Sequence, residues 1–136
     1  MEHLAILSKE GNLLSKILSG EKTIESRWYK FKKPPFNTLK EGDMIYFKES
    51  GSQVSARARV KEIITHENLS PKKVNALLSE YASPLCIDSS YFDKIKDKKF
   101  CILIFLHNVE KISPFPVNRC YGTAWISINS IDELKT

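Results

Sequence analysis

The chain of 136 residues is 42% hydrophobic and 27% charged, which is the composition of a single ordinary globular domain. Its formal net charge of +5 is compatible with a phosphate-bearing partner, although many domains carry such a surplus on solvated faces. No stretch approaches the roughly 20 apolar residues that span a bilayer, and the N-terminal segment lacks the features of a signal peptide. The sequence therefore predicts one domain, residues 1–136, in the cytoplasm and without a membrane partner.

Cysteines and histidines are scattered through the chain, and none lies at metal-ligand spacing from another. The six residues are Cys86, Cys101, Cys120, His3, His66 and His107. Cys101 lies within an apolar run and is expected in the core. This distribution predicts no metal site, and no cofactor is expected.

A first strand is predicted over residues 4–7, followed by a short amphipathic helix. The apolar stripe of that helix consists of Leu13, Leu14, Ile17 and Leu18. Asn12 is a plausible N-cap, and Gly20 stands where a left-handed residue often ends a helix. The next segment is polar, basic and aromatic, and it ends in a loop because Pro34 and Pro35 exclude a regular element.

Residues 44–48 and 54–64 are predicted to form a β-hairpin. Alternation along its second strand gives one apolar face and one basic face. The apolar face carries Val54, Ala56, Ala58 and Val60, and the basic face carries Ser55, Arg57, Arg59 and Lys61.

The remaining elements are two helices and two strands. A helix opens at Ser70-Pro71 with a cap residue and a proline in its first turn, and a short helix covers residues 90–96. The stripe of the first helix consists of Val74, Leu77, Leu78 and Tyr81. Residues 100–106 form a buried strand that residues 109–112 continue beyond a bend, Pro114 and Pro116 mark a loop, and residues 123–128 form the last strand. This order favours an α+β barrel over alternating βαβ units.

The segment after Gly20 combines charged and aromatic residues that suit a ligand. In an extended conformation, alternation places Thr23, Glu25 and Arg27 on one face. Glu25 could then orient the Arg27 guanidinium to grip a phosphate or stack on a base, with Trp28 as a second stacking surface. Alternatively, Glu25 and Arg27 form a surface ion pair and Trp28 lies in the core.

The spacing G-x-K-x-x-E-x-R, formed by Gly20, Lys22, Glu25 and Arg27, resembles the signature of the ASCH family in the PUA superfamily. The resemblance implies a PUA-like mixed β-barrel flanked by short helices, with the signature lining a cleft. It also implies that RNA, or a nucleotide-like ligand, is the partner, and we expect Lys22, Glu25, Arg27 and Trp28 to bind it.

Some small bacterial members of that family hydrolyse N4-acetylcytidine, using the signature lysine with a nearby threonine and a distant glutamate. The chain keeps the lysine as Lys22 but has Glu25 in place of the threonine, and Glu80 is the nearest match to the distant glutamate. A lysine base must lose its proton, and a carboxylate beside it would hold it charged. This departure favours ligand binding, and nucleoside amidohydrolysis is the alternative.

Further basic residues are expected to contribute if they face the cleft. Arg57 and Arg59 would extend a positive track, and Lys48 lies nearby in the family layout; the alternative is a solvated sheet face. A loop resembles a single-strand-binding patch in composition, because Lys30, Lys32 and Lys33 are interleaved with Tyr29 and Phe31. The third alternative function is a protein-interaction scaffold, and the oligomeric state is left open.

Overall fold

The computed structural model describes residues 1–118 and 122–136, so Cys120 lies outside the described residues. Within those ranges the chain forms six strands and three α-helices. The strands are β1 (Glu2–Leu7), β2 (Ile24–Tyr29), β3 (Met44–Glu49), β4 (Val54–His66), β5 (Phe100–Phe115) and β6 (Trp125–Ile128). The helices are α1 (Leu13–Ser19), α2 (Pro71–Leu85) and α3 (Tyr91–Ile95), with short 3-10 helices at Glu10–Asn12 and Ile131–Glu133. None of the helices in the described ranges is both long and apolar enough to cross a bilayer.

All six strands belong to one mixed sheet in the order β2-β5-β4-β3-β1-β6. β1 and β3 pair in parallel, and the other neighbouring strands pair antiparallel. The sheet curls into a half-barrel flanked by short helices, so the predicted α+β, PUA-like fold is confirmed. One detail differs from a closed barrel: β2 and β6 are the edges of the sheet, and no ladder joins them in the described part of the chain.

The concave face of the sheet encloses the largest core. Ala56, Ala58 and Val60 of β4 enter this core with Ile102 and Ile104 of β5, as the alternation of β4 predicts. Val54, expected on the same face, packs in a separate cluster with Leu4 and Tyr46, because the register of β4 shifts between Val54 and Ala56. α1 packs against the same core through Leu14 and Ile17, and β1, β3 and Trp125 complete it.

The convex face carries a second core beneath α2 and α3. Val74, Leu77 and Leu78 of α2 are buried there against Leu103 of β5, as their helical spacing predicts, and Ile95 of α3 joins them. Two predicted helix caps are also observed. Gly20 ends α1 in the left-handed conformation, with φ 84°, and Ser70 begins α2, where its side chain accepts a hydrogen bond from Lys73 N–H at 3.3 Å. Cys101 is also fully buried in this core.

Three local predictions were wrong. β5 continues past the left-handed Asn108 (φ 51°), as expected, but it extends through Phe115, so Pro114 lies in the strand and not in a loop. The last strand begins at Trp125, two residues later than expected. Asn12 precedes α1 but is left-handed itself (φ 53°), and its side chain makes no capping hydrogen bond.

Candidate ligand-binding cleft

β2 turns the acidic and basic residues of the signature toward the concave face of the sheet. Glu25 lies opposite Ile104 and Arg27 lies opposite Ile102, two residues of the concave core. The alternate residues of β2, Ile24 and Trp28, face the core beneath α2 and α3. The period of two along a strand therefore brings Glu25 and Arg27 to one face, as the sequence predicts.

An open cleft of about 390 Å³ lies along this edge of the sheet, a size within the usual range of ligand pockets. Its wall combines the end of β1, most of β2 and the outer turn of α3. The charged residues and tyrosines that line the cleft are Glu25, Arg27, Tyr29, Tyr91, Lys94 and Lys98. One Arg27 nitrogen, Nη1, donates to Ala124 O at 3.3 Å, and the guanidinium carbon lies 5.3 Å from the centre of the Trp125 ring. Arg27 thus links β2, at one edge of the sheet, to the residues at the start of β6, at the other edge.

Two polar atoms in this wall are buried without a hydrogen bond to any described residue: Glu25 Oε2 and Arg27 Nε. Glu25 Oε1 accepts the Ser26 backbone N–H at 2.9 Å, whereas Oε2 forms the expected ion pair with Arg27 Nη2 at 3.9 Å, too long for a hydrogen bond. The two side chains are 7% and 12% exposed. Buried polar atoms are normally paired, so this acceptor and this donor mark a place for a polar ligand or ordered water.

Two tyrosines of the cleft stay neutral beside this pair. Burial raises the pKa of Tyr91 to about 12, and the Glu25 charge adds to the effect while Arg27 opposes it. The pKa of Tyr29 is also raised, mainly by burial, and its hydroxyl donates to Pro34 O at 3.2 Å. At neutral pH both phenols keep their protons; Tyr29 donates its proton to Pro34, and the Tyr91 hydroxyl can donate to a ligand.

Lys94 and Lys98 were not predicted as site residues. They come from α3 and the turn that follows it, and both line the cleft. Their spacing of four residues indicates one helical face, but nothing local indicates that this face meets β2. Together with Arg27 they make one side of the cleft positively charged.

Lys22 occupies a different position from the one expected. It is 2% exposed, and its ammonium donates to Ile24 O at 2.9 Å and to Leu85 O at 2.6 Å. Leu85 ends α2, where carbonyl groups without helical partners attract a cation. Lys22 therefore ties the start of β2 to the end of α2, and its hydrogen bonds are made to carbonyls and not to Glu25.

Trp28 lines the cleft but is nearly buried, and Glu80 lies away from the cleft. The Trp28 side chain is 6% exposed within the core beneath α2 and α3, and its indole N–H donates to Ser26 Oγ at 3.0 Å. This is the core position given above as the alternative to a stacking surface. Glu80 is exposed on α2, and no ion pair or hydrogen bond joins it to Lys22 or Glu25 in the described ranges.

The basic residues of the hairpin do not face the cleft, contrary to expectation. Arg57 and Arg59 alternate with the inward Ala56 and Ala58, so they project from the convex face. Arg57 forms an ion pair with Glu110, and Arg59 Nη1 donates to Gly42 O at 3.1 Å.

Lys48 likewise follows the pattern of the convex face. It alternates with Phe47, which is fully buried in the concave core. The three basic residues expected to extend the cleft therefore form a separate surface.

A buried polar network fixes the strand that carries Trp125. His3 is fully buried, and its Nδ1 accepts the Trp125 indole N–H at 3.3 Å and lies 2.9 Å from Ser127 Oγ. Because indole can only donate, Nδ1 is an acceptor and Nε2–H donates to Asp43 Oδ2 at 2.8 Å. The network joins β1 and β6 to the start of β3, and it holds the Trp125 ring beneath Arg27.

Solved structures with the same fold include ASCH domains. The chain is similar to the crystal structure of ASCH from Zymomonas mobilis, with 17% identity, a TM-score of 0.73, and coverage of 97% of this chain and 90% of that one. Two crystal structures of single-substitution variants of that protein match equally well, with a TM-score of 0.73 and 17% identity. A hypothetical protein of known structure is 20% identical, with a TM-score of 0.51 over 82% of this chain and 100% of its own. No family model and no curated protein sequence matches the chain.

Proposed function

Because the chain has the fold of an ASCH domain, we propose that it binds RNA and that the cleft beside β2 holds a nucleotide of that RNA. Glu25 and Arg27 contact the base or its phosphate, and Lys94 and Lys98 attract the backbone. The net charge of +5 favours such a partner.

The strongest support comes from the two buried atoms without partners, Glu25 Oε2 and Arg27 Nε. They offer an acceptor beside a donor, and the edges of nucleobases present the complementary arrangement of donors and acceptors. Each such unpaired atom destabilises the protein by about 1–3 kcal/mol, and a ligand that forms the missing hydrogen bond removes this penalty.

The alternative function, amide hydrolysis of a modified nucleoside, requires Lys22 to reach the substrate with a free lone pair. An ammonium that donates to two carbonyls presents protons and no lone pair. Glu80, its proposed partner, is exposed on α2. These positions favour binding over catalysis by Lys22.

Substitution in the cleft tests the proposal. Glu25→Gln and Arg27→Gln are each expected to weaken binding of a single-stranded RNA by about 1–3 kcal/mol, or roughly 5- to 150-fold in Kd. Fluorescence anisotropy at one fixed salt concentration measures the affinity, and thermal unfolding checks that each variant is folded.

Arg59→Gln is the matched control, because it removes the same charge from the convex face. Its RNA affinity should stay close to that of the wild type. Equal losses for Arg27→Gln and Arg59→Gln would contradict a site in the cleft. An absence of RNA binding by the wild type would leave the fold as a scaffold for another partner.

A further inference from the structure

The loop after β2, residues 30–35, carries the most exposed large hydrophobic side chain of the described chain. Phe31 is 79% exposed, compared with 60% for the terminal Met1. Leaving a phenylalanine in water forgoes the stabilisation that its burial would give. An exposed aromatic ring among lysines is the arrangement of side chains with which proteins bind single-stranded nucleic acids.

The loop is anchored on both sides of Phe31. Tyr29 Oη donates to Pro34 O at 3.2 Å, and Phe36 N–H donates to Lys33 O at 2.9 Å. The Lys33 ammonium lies 4.7 Å from the centre of the Tyr29 ring. Lys32 forms an ion pair with Glu67 at 2.6 Å and lies over the buried Phe36 ring at 5.7 Å. Phe31 is thus presented to solvent by a loop whose neighbouring side chains are held in place.

Phe31 lies directly beyond one end of the cleft. Tyr29 lines the cleft, and two residues of chain span at most about 7 Å, so the Cα of Phe31 lies within that distance of the Cα of Tyr29. The Tyr29 carbonyl accepts Lys99 N–H at 2.9 Å, which brings the turn after α3 to the same place. Within residues 1–118 and 122–136, Lys30, Lys33 and Lys98 form no ion pair with a carboxylate. Their charges remain available to a phosphate backbone.

We propose that Phe31 is a stacking platform for a base of single-stranded RNA, next to the nucleotide that the cleft holds. The inference rests on the proposed function and extends it from one nucleotide to a short strand. An aromatic face accepts any base, and the flanking lysines contact the phosphates on either side. The partner is single-stranded because a base within a duplex is already stacked on its neighbours and does not present its face.

Three substitutions of Phe31 separate stacking from simple apolar contact. The probes are a single-stranded RNA of about ten nucleotides and a duplex of the same length, measured by fluorescence anisotropy at fixed salt. Phe31→Ala and Phe31→Leu should each weaken single-strand binding about 10-fold, because both lose the aromatic face. Phe31→Trp should keep the wild-type affinity within about two-fold or improve on it. Thermal stability should be unchanged, since the side chain is 79% exposed.

The results also distinguish this inference from the function on which it rests. Glu25→Gln is measured alongside the Phe31 variants. If Glu25→Gln weakens binding and Phe31→Ala does not, the cleft binds RNA and the stacking platform is wrong. An affinity of Phe31→Leu equal to that of the wild type, or an equal loss on duplex RNA, would also overturn the platform. If the wild type binds no single strand, the proposed function itself fails.

Discussion

The three charged residues of the signature have separate physical roles. Glu25 and Arg27 share the wall of the cleft, with one unpaired atom each, whereas Lys22 is buried between two carbonyls at the end of α2. A shared motif in the sequence therefore divides in space into a pair that faces the cleft and a buried cation that joins two elements. The division arises because Glu25 and Arg27 share a face of β2, while Lys22 precedes the strand and meets a helix end 63 residues away.

Replacement of Lys22 should therefore lower the stability of the fold and should not remove a direct contact with the ligand. Lys22→Met keeps the length of the side chain but leaves the carbonyls of Ile24 and Leu85 without their donor, so the free energy of unfolding should fall by about 2–4 kcal/mol. Denaturant unfolding measures the change, and Lys61→Met, on an exposed position of β4, is the control. An unchanged stability combined with lost RNA binding would instead make Lys22 a ligand contact.

His3 should make the stability depend on pH in a predictable direction. Burial lowers the pKa of His3 below its ordinary value of 6.5, and the bond to Asp43 only partly offsets this. The unfolded chain then takes up a proton at a higher pH than the folded chain. The stability contribution is therefore fully present above about pH 6.5 and is lost as the pH falls below it, by up to about 1.4 kcal/mol per pH unit.

Urea unfolding of the wild type and His3→Gln between about pH 5 and pH 8 checks this dependence. The variant should be less stable at neutral pH but should show a flatter decline in acid. His107→Gln, on an exposed part of β5, should keep the wild-type slope. Parallel curves for His3→Gln and the wild type would assign the acid sensitivity to other groups.

At the scale of elements, the site is made where α3 meets the edge strand β2. α3 contributes Tyr91 and Lys94 to the cleft, and Lys98 follows in the next turn. The helix is short and is held by the buried Ile95, so its position relative to β2 is set by the core beneath it. This placement puts the exposed charge of Lys94 at the rim of the cleft, whereas the neutral Tyr29 and Tyr91 are partly buried in its wall.

The α3 lysines should contribute to the salt dependence of binding. Each phosphate neutralised on a single strand steepens the plot of log affinity against log salt by about 0.7, so Lys94→Gln/Lys98→Gln should reduce the slope by about 1.4. The control is Lys72→Gln/Lys73→Gln, which removes two exposed charges from the first turn of α2. If the wild type and the Lys94/Lys98 variant show the same slope, these lysines do not contact the RNA backbone.

Periodic features of the sequence were predictable, and long-range contacts were not. The stripe that contains Val74 and the alternation that pairs Glu25 with Arg27 are local patterns, and both appear as expected. The partners of Lys22 and the position of Lys98 depend on segments distant in the chain, which no spacing reveals. Arg57 was assigned to the wrong surface because alternation defines two faces without saying which one lines the cleft.

At the scale of the whole molecule, the curled sheet separates two basic surfaces. The cleft lies at the β2 edge of the sheet, where Glu25 and Arg27 of the concave face meet the lysines of α3, and it contains the unpaired buried atoms. The convex side carries Arg57 and Arg59, whose guanidinium groups already contact Glu110 and Gly42. A moderate net charge of +5 favours the approach of RNA but does not choose between the two sides. The two unpaired atoms are the reason that we place the proposed site in the cleft.

A crystal structure of the protein with a short single-stranded RNA tests the central claim most directly. We expect a nucleotide in the cleft between β2 and α3, with a donor within about 3.2 Å of Glu25 Oε2 and an acceptor at the same distance from Arg27 Nε. RNA bound at Arg57 and Arg59 on the convex face, with the cleft left to water, would contradict it.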